Sequence, residues 1–209
     1  MSWRHPDALI QIFAKPPEPG RVKTRLIPVL GEQGAAELHA RLFRRTVATV
    51  LDSRLAAVQL WCASATAHPL FVETGLPRLR QQGPDLGARM AHALAAGLQR
   101  AQRVVLIGSD CPVLDAAYLE EAIAALADHD AVLGPAEDGG YVLIGLRRMA
   151  DLFTGVDWGS DQVLRQTRER LAAAGLGWQE LATLWDVDRH ADLARLSRQG
   201  HWETGTTPE

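Results

Sequence analysis

The sequence predicts a three-layer α/β/α fold in which a mainly parallel, mixed sheet is covered by helices on both faces. Three observations lead there. Apolar, β-rich runs recur over residues 8–14, 57–63, 104–109, 131–134 and 141–146. Most of these runs are continuous rather than alternating, as in strands buried on both faces. Segments of helical periodicity over 32–51, 86–100 and 116–127 separate them, and a further one over 160–174 follows the last run. Strands that alternate with helices are joined by right-handed crossovers and pair in parallel.

Each element has its own local reason. The helix over 116–127 starts behind Asp115, an N-cap residue, and Pro112 ends the run over 104–109 because it cannot extend a ladder. Gly139-Gly140 marks a turn, so the strand over 141–146 is expected to be antiparallel or offset. A short helix is expected from about 190 to 197, behind Asp188. No internal repeat or Gly/Ser/Pro-rich linker interrupts the chain, so residues 1–199 are expected to form a single domain, with 200–209 a frayed tail. Ligands of such sheets bind at the carboxyl ends of the strands, and the residues just past each run are the place to look for chemistry.

Bulk composition narrows the function. A hydrophobic fraction of 47% with 22% charged residues is that of an ordinary globular protein and leaves no disordered tract to explain. A net charge of −3 argues against a protein that grips nucleic acid by neutralising many phosphates, so any site for a polyanion is local. The apolar run after residue 7 is too brief for a signal h-region or a membrane span, and the cytoplasm is the expected compartment. Cys62 and Cys111 are far apart, lack zinc-site spacing and are expected to be free thiols.

The first run leads into Lys15-Pro16-Pro17-Glu18-Pro19-Gly20-Arg21-Val22-Lys23-Thr24-Arg25-Leu26. Prolines limit the entropy lost on ordering, Gly20 allows close approach of the backbone, and Lys15, Arg21, Lys23 and Arg25 are suited to neutralise oxyanions. A solvated basic loop is the alternative, but its place at the end of the first strand favours phosphate contact. Walker and dinucleotide fingerprints are absent.

The run over 104–109 ends in Gly108-Ser109-Asp110-Cys111-Pro112, which aims Asp110 at the ligand edge. A hard dication with diphosphate oxygens needs only one or two carboxylates. Asp110 could equally be a turn or cap residue, and a second acidic cluster, Asp186-Val187-Asp188, favours the metal. Residues at i and i+2 of extended chain share a face, and either acid could complete a Mg²⁺ or Mn²⁺ site with Asp110. Asp138-Gly139-Gly140-Tyr141 places an acid and two glycines between strands, as a bare hairpin turn or a wall against a sugar or phosphate.

Together these motifs, with Gln82-Gly83-Pro84-Asp85-Leu86-Gly87-Ala88-Arg89-Met90 between them, resemble the nucleotide-diphospho-sugar transferase superfamily. Within it, the chain resembles the small bacterial GT-A-like glycosyltransferases associated with radical-SAM and selenodomain proteins or with arsenosugar biosynthesis. The resemblance implies a GT-A, Rossmann-like fold. It places Lys15, Lys23 and Arg25 on nucleotide phosphates, the loop of Gly83, Asp85 and Gly87 near the base, and Asp110 on the metal with Asp186 or Asp188. The Lys-Thr-Arg-Leu element is also similar to that of phospholactate guanylyltransferases.

Other residues have competing roles. Ser160 reads first as a helix cap. Asp157 or Asp161 is a candidate general base for an acceptor hydroxyl, and Trp158 and Trp185 are either core or stacking residues. Cys111 reads as a small buried residue. A metal-dependent glycosyltransferase is therefore expected, on the resemblance, with nucleotidyl transfer as the alternative. In the first reaction, a nucleotide sugar donates its glycosyl group to a small-molecule acceptor. In the other, a nucleoside triphosphate donates its nucleotidyl group to a phosphorylated acceptor. The oligomeric state stays open.

Overall fold

The computed structural model of the protein describes residues 3–198. The tail expected over 200–209 lies outside the described residues. The strands are β1 (Ala8–Ala14), β2 (Ala57–Cys62), β3 (Arg78–Arg80), β4 (Arg103–Ile107), β5 (Ala131–Pro135), β6 (Tyr141–Leu146) and β7 (Trp178–Glu180). They form one sheet in the order β3-β2-β1-β4-β6-β5-β7. The helices are α1 (Ile27–Ser53), α2 (Pro69–Val72), α3 (Leu86–Leu98), α4 (Ala116–Ala125), α5 (Val163–Ala173) and α6 (His190–Arg198). β6 alone runs antiparallel, against both β4 and β5, while the other pairs are parallel. The mixed, mainly parallel sheet read from the sequence is the one observed.

Differences lie at edges and ends. β3 and β7 are three-residue edge strands with no fully buried position, too short and too polar for periodicity to reveal. Helix α1 starts before residue 32 because Pro28 opens a first turn, which Gly31 (φ 68°) then separates from the regular helix. The single turn α2 is capped by His68, whose Nδ1 accepts the Leu70 N–H at 3.2 Å. Ser160 is not the cap of α5. That helix begins behind Gln162 without a side-chain cap, and the Ser160 hydroxyl instead donates to the Asp157 carbonyl at 2.7 Å.

Strand β1 shows how the two faces are filled. Ile10 and Ile12 point to a core shared with Phe43, Phe71 and Ile123, while Leu9 and Phe13 point to the opposite core with Met90, Leu94 and Leu171. Gln11 lies fully buried, its amide nitrogen donating to the Ala93 carbonyl at 2.7 Å, which offsets part of the cost of burying it. A third cluster, Leu26, Leu38, Leu42, Trp185, Val187, Leu193 and Leu196, ties α6 and the segment before it to α1. Among the described residues no helix is long and apolar enough to cross a membrane.

The topology decides where the site forms. From β1 the chain runs outward to β2 and β3, then returns to the other side of β1 as β4. The loops after β1 and β4 therefore diverge and flank a crevice at the switch point. Because β6 is antiparallel, its first residues and the β5–β6 turn come to the same edge. Beyond β7, Ala136 bridges Leu184 and the Val187 N–H donates to the Asp110 carbonyl at 3.0 Å, so the 184–188 segment runs along that edge too.

Candidate active site

Four segments distant in sequence meet at this edge: the loop after β1, the end of β4, the β5–β6 turn and the 184–188 stretch. Three adjoining cavities lie between them. The first, of about 310 Å³, is lined by Phe13, Leu86, Met90, Tyr141 and Trp158, with Asp110, Asp138 and Asp186 at its rim. The second holds Lys15, Arg21, Lys23, Arg25 and His39 together with Asp110 and Asp188. The third is carboxylate-rich, with Glu137, Asp138, Asp161, Asp186, Asp188 and Asp192 against Arg25 and Arg189.

The cations of the first loop do not share one environment. Lys15 is exposed. Arg21 is exposed and stands 3.3 Å from Glu18. Arg25 pairs with Asp188, which raises the guanidinium's proton affinity. Lys23 differs from all three, since its side chain is only 5% exposed. Its Nζ lies 2.9 Å from Asp110 Oδ1 and donates to the Val187 carbonyl at 2.5 Å. Gly20 turns the loop at φ 77°.

Asp110 is gripped on one side. Its Oδ1 is buried, 3.5 Å from Nδ1 of His39, whose Nε2 donates to the Lys15 carbonyl at 3.0 Å. The side chain nevertheless keeps 42% exposure, so the remainder of the carboxylate faces the crevice. Burial pushes its pKa up, but the charge of Lys23 and the contact with His39 outweigh this and hold it well below the usual carboxylate range. Asp186 behaves in the opposite way. Burial first, then repulsion from Asp138 and more weakly from Asp110 and Asp188, pushes it up to about 6, although Lys23 pulls the other way.

These two acids fit a hard dication. They line one cavity, and the repulsion around Asp186 is what a cation would relieve. Among the described residues no group of three or more His, Cys, Asp or Glu stands together as a ligand cage. Water and diphosphate oxygens would have to supply the other positions, as Mg²⁺ and Mn²⁺ commonly require. Asp188 is paired with Arg25, whereas no ion pair within 4 Å is formed by Asp186 among the described residues.

A pH dependence follows. Below about 6 a cation binding at Asp186 must displace its proton. Mn²⁺ affinity is expected to fall by up to about tenfold per pH unit there, and calorimetry in buffers of different ionisation enthalpy should detect most of one proton released near pH 5.5. Absence of that release would remove Asp186 from the metal set. In the metal-free protein the raised value means that stability drawn from Asp186 is greatest in acid and is lost as pH rises through about 6. Asp110 has the reverse sign, contributing at neutral pH and losing its contribution in acid.

The side walls show further departures. Asp85 is the N-cap of α3, accepting the Ala88 N–H at 2.8 Å. Gly83 folds over the same helix start and accepts from Arg89 Nε at 3.1 Å. Neither lines the three cavities, whereas their neighbours Gln81 and Leu86 do. Gly87 lies against Trp158 so closely that a Cβ there would be 2.6 Å from the indole Nε1. Trp158 also stacks on Phe153, with centroids 6.3 Å apart. Trp185 is buried beneath the guanidinium of Arg195. Of the two candidate bases, Asp161 lines the acidic cavity, while Asp157 is held outside it by two hydrogen bonds with Gln166. Cys111 is a free, buried thiol pushed up to about 11 by burial, and Cys62 is free as well.

Comparison with known proteins agrees with this fold. A protein of Desulfovibrio desulfuricans G20, provisionally assigned as a nucleotide-diphospho-sugar transferase, is 34% identical, with 96% of this chain and 90% of that chain covered and a TM-score of 0.86. Glucosyl-3-phosphoglycerate synthase of Mycobacterium tuberculosis, solved with Mn²⁺, UDP and glucosyl-3-phosphoglycerate, shares the fold at 13% identity, 96% and 82% coverage and a TM-score of 0.55. CMP:2-keto-3-deoxy-manno-octonic acid synthetase, solved with CTP, does so at 10% identity, 93% and 98% coverage and a TM-score of 0.60. Among curated proteins no significant sequence match is found. The fold and the 34% identical relative place the chain among the transferases of the nucleotide-diphospho-sugar transferase superfamily. The chain belongs to the bacterial family DUF2064, described as uncharacterized protein conserved in bacteria, which it matches over residues 46–160.

Proposed function

We propose that this protein is a metal-dependent glycosyltransferase using a nucleotide-diphosphate sugar, of the radical-SAM- or arsenosugar-associated type its motifs resemble. The observation that carries this reading is the split in charge across the crevice. Cations of the first loop surround one cavity, and carboxylates dominate the cavity on the far side of Asp186. Nucleotidyl transfer to a phosphorylated acceptor would place an anion among Glu137, Asp138, Asp161 and Asp192 at a large electrostatic cost. A neutral or cationic acceptor hydroxyl meets no such penalty.

In this reading Lys15, Arg21 and Arg25 take the diphosphate, and Asp110 and Asp186 hold Mg²⁺ or Mn²⁺. The bound metal would neutralise charge on the departing diphosphate. Phe13, Leu86 and Trp158 enclose the apolar cavity beside the metal ligands and exclude water from the donor. Asp161 receives the proton of the acceptor hydroxyl as its oxygen bonds to the anomeric carbon and the bond from that carbon to the diphosphate oxygen breaks.

Incubation with nucleotide sugars, nucleoside triphosphates and Mn²⁺, against polyol, amine and phosphorylated acceptors, tests the reading by mass spectrometry of products. Nucleoside diphosphate and a glycosylated uncharged or cationic acceptor are expected. Pyrophosphate and a nucleotidylated phosphate would overturn it. Trp158→Ala is expected to raise the donor KM about tenfold, the equivalent of one stacking contact, while inorganic pyrophosphate affinity stays nearly constant. Parallel losses for both ligands would place Trp158 outside the sugar site.

A further inference from the structure

We propose that Lys23 is a positioning residue that clamps Asp110 to the 186–188 segment, and that it is not a direct ligand of the diphosphate. Its geometry differs from that of every other cation in the loop. With 5% of its side chain exposed, Lys23 is largely enclosed even though it borders the basic cavity, while Arg21 and Arg25 keep 80% and 60%. Its ammonium is committed to protein oxygens, donating to the Val187 carbonyl at 2.5 Å and forming an ion pair with Asp110 Oδ1 at 2.9 Å.

Those contacts close a circuit. The Val187 N–H donates to the Asp110 carbonyl at 3.0 Å while its own carbonyl accepts from Lys23, so both backbone groups of Val187 are committed to the loop after β1 and the end of β4. Val187 is fully buried in the cluster with Leu26 and Leu42, which fixes the residue between the two acids. Asp186 and Asp188 must then project from a segment anchored at its middle. The ammonium and the Val187–Asp110 backbone hydrogen bond together set the distance between Asp110 and Asp186, and of the two the ammonium alone also holds the Asp110 carboxylate.

The loop conformation serves the same end. Lys23 has φ 47° and ψ 41°, a left-handed conformation uncommon for a residue with a side chain, and its carbonyl accepts the Leu26 N–H at 2.8 Å. This turn sends the side chain inward beneath the loop while Lys15 and Arg21 stay on its surface. The loop thus divides its cations between an outer set for phosphate and an inner one for the acidic centre.

The inference rests on the reading of Asp110 and Asp186 as metal ligands, and its test separates the two. Inorganic pyrophosphate binding is measured by calorimetry with EDTA and with saturating Mn²⁺, for the natural protein, Lys23→Met and Lys15→Met. Hydrogen exchange at Val187 is followed in the metal-free proteins. Lys23→Met is expected to keep EDTA-condition affinity within about twofold, to lose at least about tenfold of the Mn²⁺-dependent gain, and to speed Val187 exchange by about tenfold or more. Lys15→Met should weaken pyrophosphate in both conditions and leave Val187 unchanged. Equal losses with and without Mn²⁺ for Lys23→Met would make Lys23 a phosphate ligand, and an unaltered Mn²⁺-dependent gain would show that it positions nothing; either overturns the proposal. Should the natural protein show no Mn²⁺-dependent gain, the metal reading fails and Val187 exchange alone decides the clamp. If Lys23→Met does not fold, Lys23→Gln, which retains a donor but no charge, is read in the same way.

Discussion

Asp110→Asn is expected to reduce Mn²⁺-dependent pyrophosphate affinity by more than about 100-fold while leaving the metal-independent component nearly intact. The amide keeps the shape of the carboxylate and an oxygen acceptor, but it forfeits the charge a hard dication needs. Lys23 would lose its counter-ion at 2.9 Å and stay buried. Removing one partner of a fully buried pair costs several kcal/mol, and because Asp110 is 42% exposed the expected loss of stability is smaller, roughly 1–2 kcal/mol. Calorimetry with and without EDTA reads the first effect and thermal melting the second. Retention of the Mn²⁺-dependent affinity would take Asp110 out of the metal site.

Gly139→Ala should be the most destabilising single change in the β5–β6 turn. Gly139 has φ 87°, and a Cβ built on it would stand 2.3 Å from the Asp161 carbonyl oxygen and 2.8 Å from two further Asp161 backbone atoms. Backbone at that distance cannot yield by a rotamer change. The Gly139 carbonyl also accepts the Leu164 N–H at 2.9 Å, so moving the turn loosens the start of α5. A cost of roughly 2–4 kcal/mol is expected, on the order of 5–15 °C in Tm for a chain of this size. Gly159→Ala is the control, since Gly159 has nearly the same φ of 88° but nothing within 4 Å of its added Cβ. Only the conformational term remains there, about 1 kcal/mol. Equal melting shifts for the two variants would show that the contact with Asp161 is not tight. Displacement of Asp161 should also lower kcat in Gly139→Ala more than in Gly159→Ala, because Asp161 lines the acidic cavity.

The strands that the apolar runs foretold are those whose residues are buried on both faces, such as β1 and β4, where burial itself writes a continuous apolar stretch. β3 and β7 lie at the sheet edges, where half-exposed side chains carry no such imprint. Asp110 was legible because a strand end followed by Pro112 projects it toward the ligand edge. His39 was not. It lies mid-helix on the apolar face of α1, between Leu38 and Leu42, and its approach to Asp110 depends on how α1 packs over β1. Asp138 resembled an ordinary turn acid until the antiparallel β6 brought that turn to the carboxyl edge.

Local sequence was thus sufficient for the layer order, the mixed sheet, the basic loop and the strand-end acid, because each depends on burial pattern or on neighbours within a few residues. It could not apportion the charges. Lys23 and Arg25 are two residues apart in one basic run, yet one is enclosed against Asp110 and Val187 and the other pairs with Asp188 at the rim. Asp186 and Asp188 look interchangeable in sequence, and the rim pairing alone leaves Asp186 for the metal reading. Those assignments depend on contacts between segments up to 164 residues apart, made only once the sheet brings the ends of β1 and β4 and the terminal segment to one edge.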